Sequence, residues 1–357
     1  MSSGPAKVRV LVVDDSRLMR RLIRDILESD PAIEVAGEAS NGMLAVQMVH
    51  SLRPDVVTMD VEMPVLSGLD ALGYIMSEAP TPVVMLTGLQ SPDLAIRALQ
   101  LGAVDFLRKP SGTISMDLFK IKDELLGKVK LAPLVNLRRV NANREKLEAL
   151  AAAPKVVKPP ATAGLNWLVV VGASTGGPPA LERLFADLRA DLPAAFLVVQ
   201  HIPAGFTRSL ARRLDQSSKL AVVEAEEGML LEAGRGYVAA GGSHLVLQPD
   251  GAAEKNYRLH LDDSPPRGTL RPAVDVTMAN AAAMFGARTL GVVLTGMGSD
   301  GLEGCRAIRA AGGTAIVQDR STSLIYGMPR AVAEAGLAGQ ALPLDEIPAA
   351  IARVVER

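Results

Sequence analysis

Gly172, Ser174 and Gly176, in the run Gly172-Ala173-Ser174-Thr175-Gly176-Gly177, meet the spacing G-x-S-x-G. That spacing makes a sharp turn that exposes a serine hydroxyl as a nucleophile. An apolar stretch, Leu168–Val171, leads into the turn, and Pro178-Pro179, favoured in a helix's first turn, lead out of it. The start of that helix offers backbone N–H groups and positive potential to a developing oxyanion. The glycines lack dinucleotide-binding spacing, and no lysine completes a P-loop. On this segment alone, a plain βα turn with Ser174 as N-cap is an equal reading.

A serine nucleophile needs a base. Of four histidines, His50 lies on a helical pattern and His244 and His260 on strand-like patterns. His201 ends the apolar run Phe196–Gln200 and precedes Ile202-Pro203-Ala204-Gly205, so it projects at the ligand-binding edge of a sheet. With a reference pKa near about 6.5, an imidazole there takes a serine proton and returns it. A third group must orient the ring. Asp300, in the glycine-rich Leu294-Thr295-Gly296-Met297-Gly298-Ser299-Asp300-Gly301, is one candidate; Asp275 and Asp319 are rivals that spacing leaves open. The order Ser…His…Asp differs from the Ser…Asp…His of α/β-hydrolases.

A second set of reactive groups lies in the first third. Asp14 and Asp15, Asp60, Thr87 and Lys109 each follow or end a short apolar run. Carboxylates converging there repel by about 4 kcal/mol per pair at 4 Å in an effective dielectric near 20. A hard cation such as Mg²⁺ relieves that repulsion. Lys109 can pair with an added phosphoryl group, and the Thr87 hydroxyl can follow it. Any one acid alone reads as a helix cap, Asp15 for the helix opening near Ser16. Four strand ends carrying such groups together favour a phosphorylation site.

These groups require scaffolds. Apolar runs at Val8–Val13, Ile33–Glu38, Val56–Met59, Val83–Leu86 and Asp105–Arg108 alternate with helical patterns such as Arg17–Glu28 and Met43–Leu52, and others opening near Gly68 and Pro92. A helical segment from about Met116 to Lys130 closes the unit. Alternation restarts at Trp167, with strands at Leu168–Val171, Phe196–Val199, Leu290–Leu294 and Thr314–Val317. Tyr237–Gln248 and Tyr257–Leu261 alternate around Pro249-Asp250-Gly251, which predicts a hairpin. The fold class is α/β: two doubly wound parallel sheets, the second with a small antiparallel hairpin. The predicted domains are 1–130 and 165–357, joined by a linker over 131–164 that is helix-prone at first and then proline-rich.

Composition narrows the function. In 357 residues, 38 Lys+Arg against 39 Asp+Glu, with 3% aromatics, exclude a basic nucleic-acid glove and a base-stacking platform. Cys305 is the sole cysteine, so an intramolecular disulfide is impossible and a reducing cytoplasm is the expected compartment. No export signal is expected at the N-terminus, and no run approaches the roughly 20 apolar residues of a membrane helix.

VLVVDDSRLMR, DVVTMDVEMPVLSGLDAL, PVVMLTG and LGAVDFLRKP, within residues 7–130, resemble the receiver domains of two-component response regulators. The resemblance implies a flavodoxin-like fold, Asp60 as phosphoacceptor, and Mg²⁺ held by Asp14, Asp15, Asp60 and the backbone of Glu62. It further implies Thr87 and Lys109 as the switch, and a histidine kinase as phosphodonor. From about Leu165 onward, GASTGG, VVQHIPAGFTRSLARRL, YVAAGGSHLVL, RPAVDV, LTGMGSDG and YGMPRAV resemble the Rossmann-like catalytic domain of chemotaxis protein-glutamate methylesterases. That resemblance implies a triad of Ser174, His201 and Asp300, with Thr175 and the Met297 backbone as oxyanion or substrate contacts. It implies no cofactor for the ester chemistry, and chemoreceptors as substrates, demethylated at glutamate methyl esters and deamidated at glutamines after phosphorylation of the receiver. Ser299 stands where Asn is common in that family, and Ala240-Gly241 replaces a Pro-Gly pair. The competing reading is a regulator whose second domain binds signalling proteins without turnover; the intact Ser/His/Asp set argues against it.

Overall fold

The structure is a computed structural model and describes residues 6–88, 92–109, 117–152, 164–251, 256–268 and 270–357. The chain forms two compact units, Met1–Glu145 and Lys146–Arg357.

In the first unit, β1 (Val8–Val13), β2 (Ile33–Ala39), β3 (Val56–Asp60), β4 (Val83–Thr87) and β5 (Asp105–Arg108) form one parallel sheet in the order β2-β1-β3-β4-β5. Helices α1 (Arg17–Glu28), α2 (Gly42–Leu52), α3 (Gly68–Glu78), α4 (Pro92–Gln100) and α5 (Asp117–Leu131) connect and flank the strands. β3 and β4 are buried throughout, which explains why they read as unbroken apolar runs. Strand order reverses between β1 and β3, and there a doubly wound sheet opens a crevice beyond its carboxyl ends. Ser16, not Asp15, caps α1: its hydroxyl accepts from the Met19 N–H at 3.3 Å, while Asp14 accepts from the Ser16 N–H at 3.0 Å. Asp15 is therefore left exposed.

The sequence expected to link the domains begins as a helix, α6 (Leu137–Ala152), and the division between units falls inside it. Its proline-rich part, 153–163, lies outside the described residues, as do Met116 and residues 252–255, which follow the predicted turn Pro249-Asp250-Gly251.

The second unit holds a seven-stranded, wholly parallel sheet. Its strands are β6 (Trp167–Ala173), β7 (Ala194–Gln200), β8 (Ala221–Glu224), β9 (Arg235–Val238), β12 (Thr289–Val293), β13 (Thr314–Gln318) and β14 (Gln340–Leu342), in the order β14-β13-β12-β6-β7-β9-β8. β10 (His244–Pro249) and β11 (Tyr257–Asp262) make the separate antiparallel hairpin. Its Leu245, Leu247 and Leu259 join Leu197 and Tyr237 in one core with Val274 and Met278 of α9 (Val274–Phe285). α7 (Gly177–Asp187), α8 (Thr207–Ser217), α10 (Leu302–Ala310), α11 (Met328–Glu334) and α12 (Ile347–Val355) complete the unit.

Tyr237–Gln248 is not a single hairpin strand: Tyr237 pairs in parallel with Leu197, and only His244–Pro249 enters the hairpin. Gly242, at φ +101°, turns the chain between them in a backbone region that favours glycine. Gly241 packs so closely on Ala204 that a Cβ would fall 2.7 Å from its backbone. The strand order reverses at β6, with β7 on one side and β12 on the other, so the ligand crevice lies at these three carboxyl ends.

Candidate active site

The three strands deliver three segments to that crevice. Ala173 pairs with Gln200, so Ser174 and His201 are the next residues on adjacent strands. The His201 N–H donates to the Ala173 carbonyl at 3.1 Å, and the Ser174 N–H donates to the Thr295 carbonyl, also at 3.1 Å. Ser174 is thus strapped between the ends of β7 and β12. The turn closes when the Gly177 N–H donates to the Ser174 carbonyl at 2.7 Å, with Gly176 at φ +75° as the α7 N-cap. Ser174 is therefore not the cap. Gly296 lets β12 approach: a Cβ there would lie 2.8 Å from the Ser174 Cβ.

His201 and Asp300 are joined, Nε2 to Oδ2, at 2.8 Å, with side chains only 9% and 7% exposed. Asp300 also accepts from the backbone N–H groups of Val274 (2.7 Å), Asp275 (2.9 Å) and Gly301 (3.1 Å). Burial alone would raise the Asp300 carboxyl, but the bond and charge of His201 and the Asp275 and Val274 N–H groups outweigh it and hold it below its ordinary range. Because an ionised carboxylate only accepts, Nε2 carries the proton and Nδ1 is left as the basic nitrogen. Ser174 Oγ, half-buried beside them, makes no hydrogen bond with a described residue. Thr175 is buried in the same turn, whereas the Met297 side chain is 46% exposed.

The rival acids have other partners. Asp319 holds its own turn, accepting from the Thr322 N–H at 2.9 Å and from the Ser321 hydroxyl. Asp275 accepts from the N–H groups of Gly301 and Gly304, each at 2.8 Å. The remaining histidines lie elsewhere too: His50 faces Glu78 on the surface, and His260 pairs with Glu227. His244 is buried, its Nδ1 accepting from the Ala273 N–H at 3.1 Å. Sequence reasoning missed Gln200, whose buried amide donates to the carbonyls of Ser174 (2.9 Å) and His201 (3.3 Å), tying nucleophile turn to base. The available signal was a polar residue closing an otherwise apolar strand.

In the first unit, one oxygen each of Asp14, Asp15 and Asp60 lie within 4.8 Å of one another. Lys109 Nζ sits 2.6 Å from Asp14 and 2.7 Å from Asp60. Burial raises the Asp60 carboxyl; Lys109 opposes the shift and Asp14 adds to it. Burial also works against the charge on Lys109, but its bonds to both carboxylates win and raise its pKa. Three carboxylates against one ammonium leave surplus negative charge among hard oxygen donors, a set that fits a divalent cation such as Mg²⁺. The Thr87 hydroxyl, buried at the end of β4, donates to the Gly88 carbonyl at 3.2 Å.

An acidic cluster thus closes one doubly wound sheet, and a Ser/His/Asp edge closes the second. The CheB methylesterase family model matches residues 169–351, and that of the response regulator receiver domain matches 10–117. Protein-glutamate methylesterase/protein-glutamine glutaminases of Pyrococcus abyssi and Geobacillus kaustophilus are each 46% identical over 98% of this chain, covering 94% and 99% of their own lengths. The crystal structure of the Thermotoga maritima CheB methylesterase catalytic domain superposes with a TM-score of 0.51 at 41% identity, over 55% of this chain and 99% of that one. The chain belongs to the CheB methylesterase family.

Proposed function

We propose that this protein is a phosphorylation-activated protein-glutamate methylesterase and protein-glutamine glutaminase acting on chemoreceptors. The 2.8 Å His201–Asp300 bond, at the strand ends that flank Ser174, carries the reading. Ser174 Oγ attacks the γ-carbonyl carbon of a glutamate methyl ester, and its proton passes to Nδ1 of His201. Asp300 keeps the ring in the required tautomer and stabilises the imidazolium. Collapse of the tetrahedral oxyanion expels methoxide, which takes the proton from His201 and leaves as methanol. Water, deprotonated by the same ring, then attacks the acyl-enzyme, restoring the serine and releasing glutamate. A glutamine follows the same path with ammonia leaving. Backbone N–H groups near Thr175 and Met297 are the proposed oxyanion donors, each worth about 10²–10³ in rate.

In the receiver, Asp14, Asp15, Asp60 and the Glu62 carbonyl are the proposed Mg²⁺ ligands. The bound cation would supply charge neutralisation for phosphoryl transfer from a histidine kinase to Asp60. Lys109 then pairs with the new phosphoryl group, and Thr87 turns its hydroxyl toward it. Among the described residues no helix is long and apolar enough to cross a membrane, and we assign the protein to the cytoplasm, with no nucleic-acid partner. The test is demethylation of methyl-labelled receptor membranes with and without a small phosphodonor. Wild type should respond to the phosphodonor, Asp60→Asn should keep only basal turnover, and Ser174→Ala should release no methanol. An equal response by wild type and Asp60→Asn would overturn the gating.

A further inference from the structure

Asp275 and Asp300 cap each other's helices. Asp300, just before the α10 N-cap Gly301, accepts from the Val274 and Asp275 N–H groups that open α9. Asp275, in the first turn of α9, accepts in return from the Gly301 and Gly304 N–H groups that open α10. The Gly301 N–H is shared, 2.8 Å from Asp275 and 3.1 Å from Asp300. The helix pair is close-packed beneath this exchange: a Cβ on Gly304 would lie 2.5 Å from the Met278 Cβ and 3.2 Å from the Asp275 Cα.

We propose that Asp275 is a positioning residue of the esterase site, fixing the Gly301 turn so that Asp300 meets Nε2 of His201. The proposal rests on the triad reading above. An ordinary helix cap satisfies donors at the end of its own helix. Asp275 instead reaches across to the turn that carries the relay acid, and that acid reaches back to the Asp275 main chain. The ring of bonds leaves Asp300 no rotamer change that does not also break a cap. Losing Asp275 therefore frees the Gly301 turn, and small displacements of a relay group cost heavily in rate. Burial, then the Asp300 charge, raises the Asp275 carboxyl, so a neutral acceptor is tolerated at this position. Asparagine keeps the accepting oxygen for Gly301 and Gly304 and presents an N–H toward Asp300.

The test compares full-length wild type, Asp275→Ala, Asp275→Asn, Asp275→Glu and Ser174→Ala by methanol release from a peptide bearing a glutamate γ-methyl ester. Thermal melts run alongside. Asp275→Ala should lose about 10²-fold in kcat with KM little changed, and Asp275→Asn should recover most of that loss. If the alanine variant does not fold, Asp275→Glu, which moves the carboxylate by one methylene, should fold and show the same kcat deficit. Wild-type kcat in a folded alanine or glutamate variant would overturn the proposal. So would an asparagine variant that folds yet is as slow as alanine. Turnover by Ser174→Ala would instead overturn the nucleophile assignment on which the relay depends, and it would be visible independently of the Asp275 series.

Discussion

Asp300 meets His201 at Nε2 rather than Nδ1, 2.8 Å away, and holds its other bonds to three backbone N–H groups. The ring is therefore turned so that Nδ1 is the nitrogen available to a serine proton. The reverse use of the two nitrogens is the familiar one in serine proteases, and here the bond from Nε2 to Asp300 sets the choice.

Asp300→Asn tests that relay. Whichever way the amide is placed, its NH₂ faces N–H donors: Val274 and His201 on one side, Asp275 and Gly301 on the other. Either the ring loses its tautomer or a helix start loses its acceptor. The expected loss in kcat for methanol release is about 10³–10⁴-fold. Because the native carboxyl lies below its ordinary range, its contribution to stability is complete above the unfolded pKa of about 3.9 and lost only as pH falls through the lower folded value. Thermal melts between pH 5 and pH 8 should therefore show no step from this group.

Asp60 behaves oppositely. Its carboxyl is raised on folding, so the native state holds more protons than the unfolded chain just above the unfolded pKa, and stability falls as pH rises through the folded value. Asp60→Asn removes that cost and should raise the melting temperature of the receiver at neutral pH. The gain should shrink on acidification and on adding millimolar Mg²⁺, which itself should stabilise the wild type. Calorimetry with and without Mg²⁺ measures both effects.

Gly172→Ala probes the close packing under the site. Its Cβ would fall 2.5 Å from one Val274 methyl, 2.8 Å from the other and 3.2 Å from the Val274 Cβ. No rotamer relieves all three contacts, so the α9 start that holds Asp300 must move. A loss of about 1–3 kcal/mol in denaturant unfolding is expected, with a fall in kcat larger than that in the melting temperature would suggest.

Cys305 should be chemically silent. It is buried against Met278 on the inner face of α10, and burial, then the Asp275 charge, pushes its thiol up to about 12. A thiol reagent at pH 8 should label less than a tenth of the folded protein over about an hour, and all of it in denaturant, giving a spectroscopic count of unfolding.

Much of the fold is legible because the local rules agree. The apolar run Val8–Val13 and the periodicity of Arg17–Glu28 point to one strand and one helix, which the structure has, although the cap is Ser16 and not Asp15. Tyr237 is not legible in that way: alternation suits a hairpin and a parallel sheet alike, and only its neighbour Leu197 settles the matter. Ser174 and His201 can be read from strand ends. Which acid reaches the imidazole cannot, since Asp275 and Asp300 lie on two helix starts whose packing separates their tasks. Gln200 acts through main-chain carbonyls, and no spacing rule announces such a role.

The most direct measurement is methanol release from a glutamate γ-methyl ester by Ser174→Ala and wild type at equal, verified concentrations of folded protein. The relay described here predicts a near-complete loss, about 10³-fold or more, with an unchanged melting temperature. Turnover by the alanine variant within tenfold of wild type would contradict it.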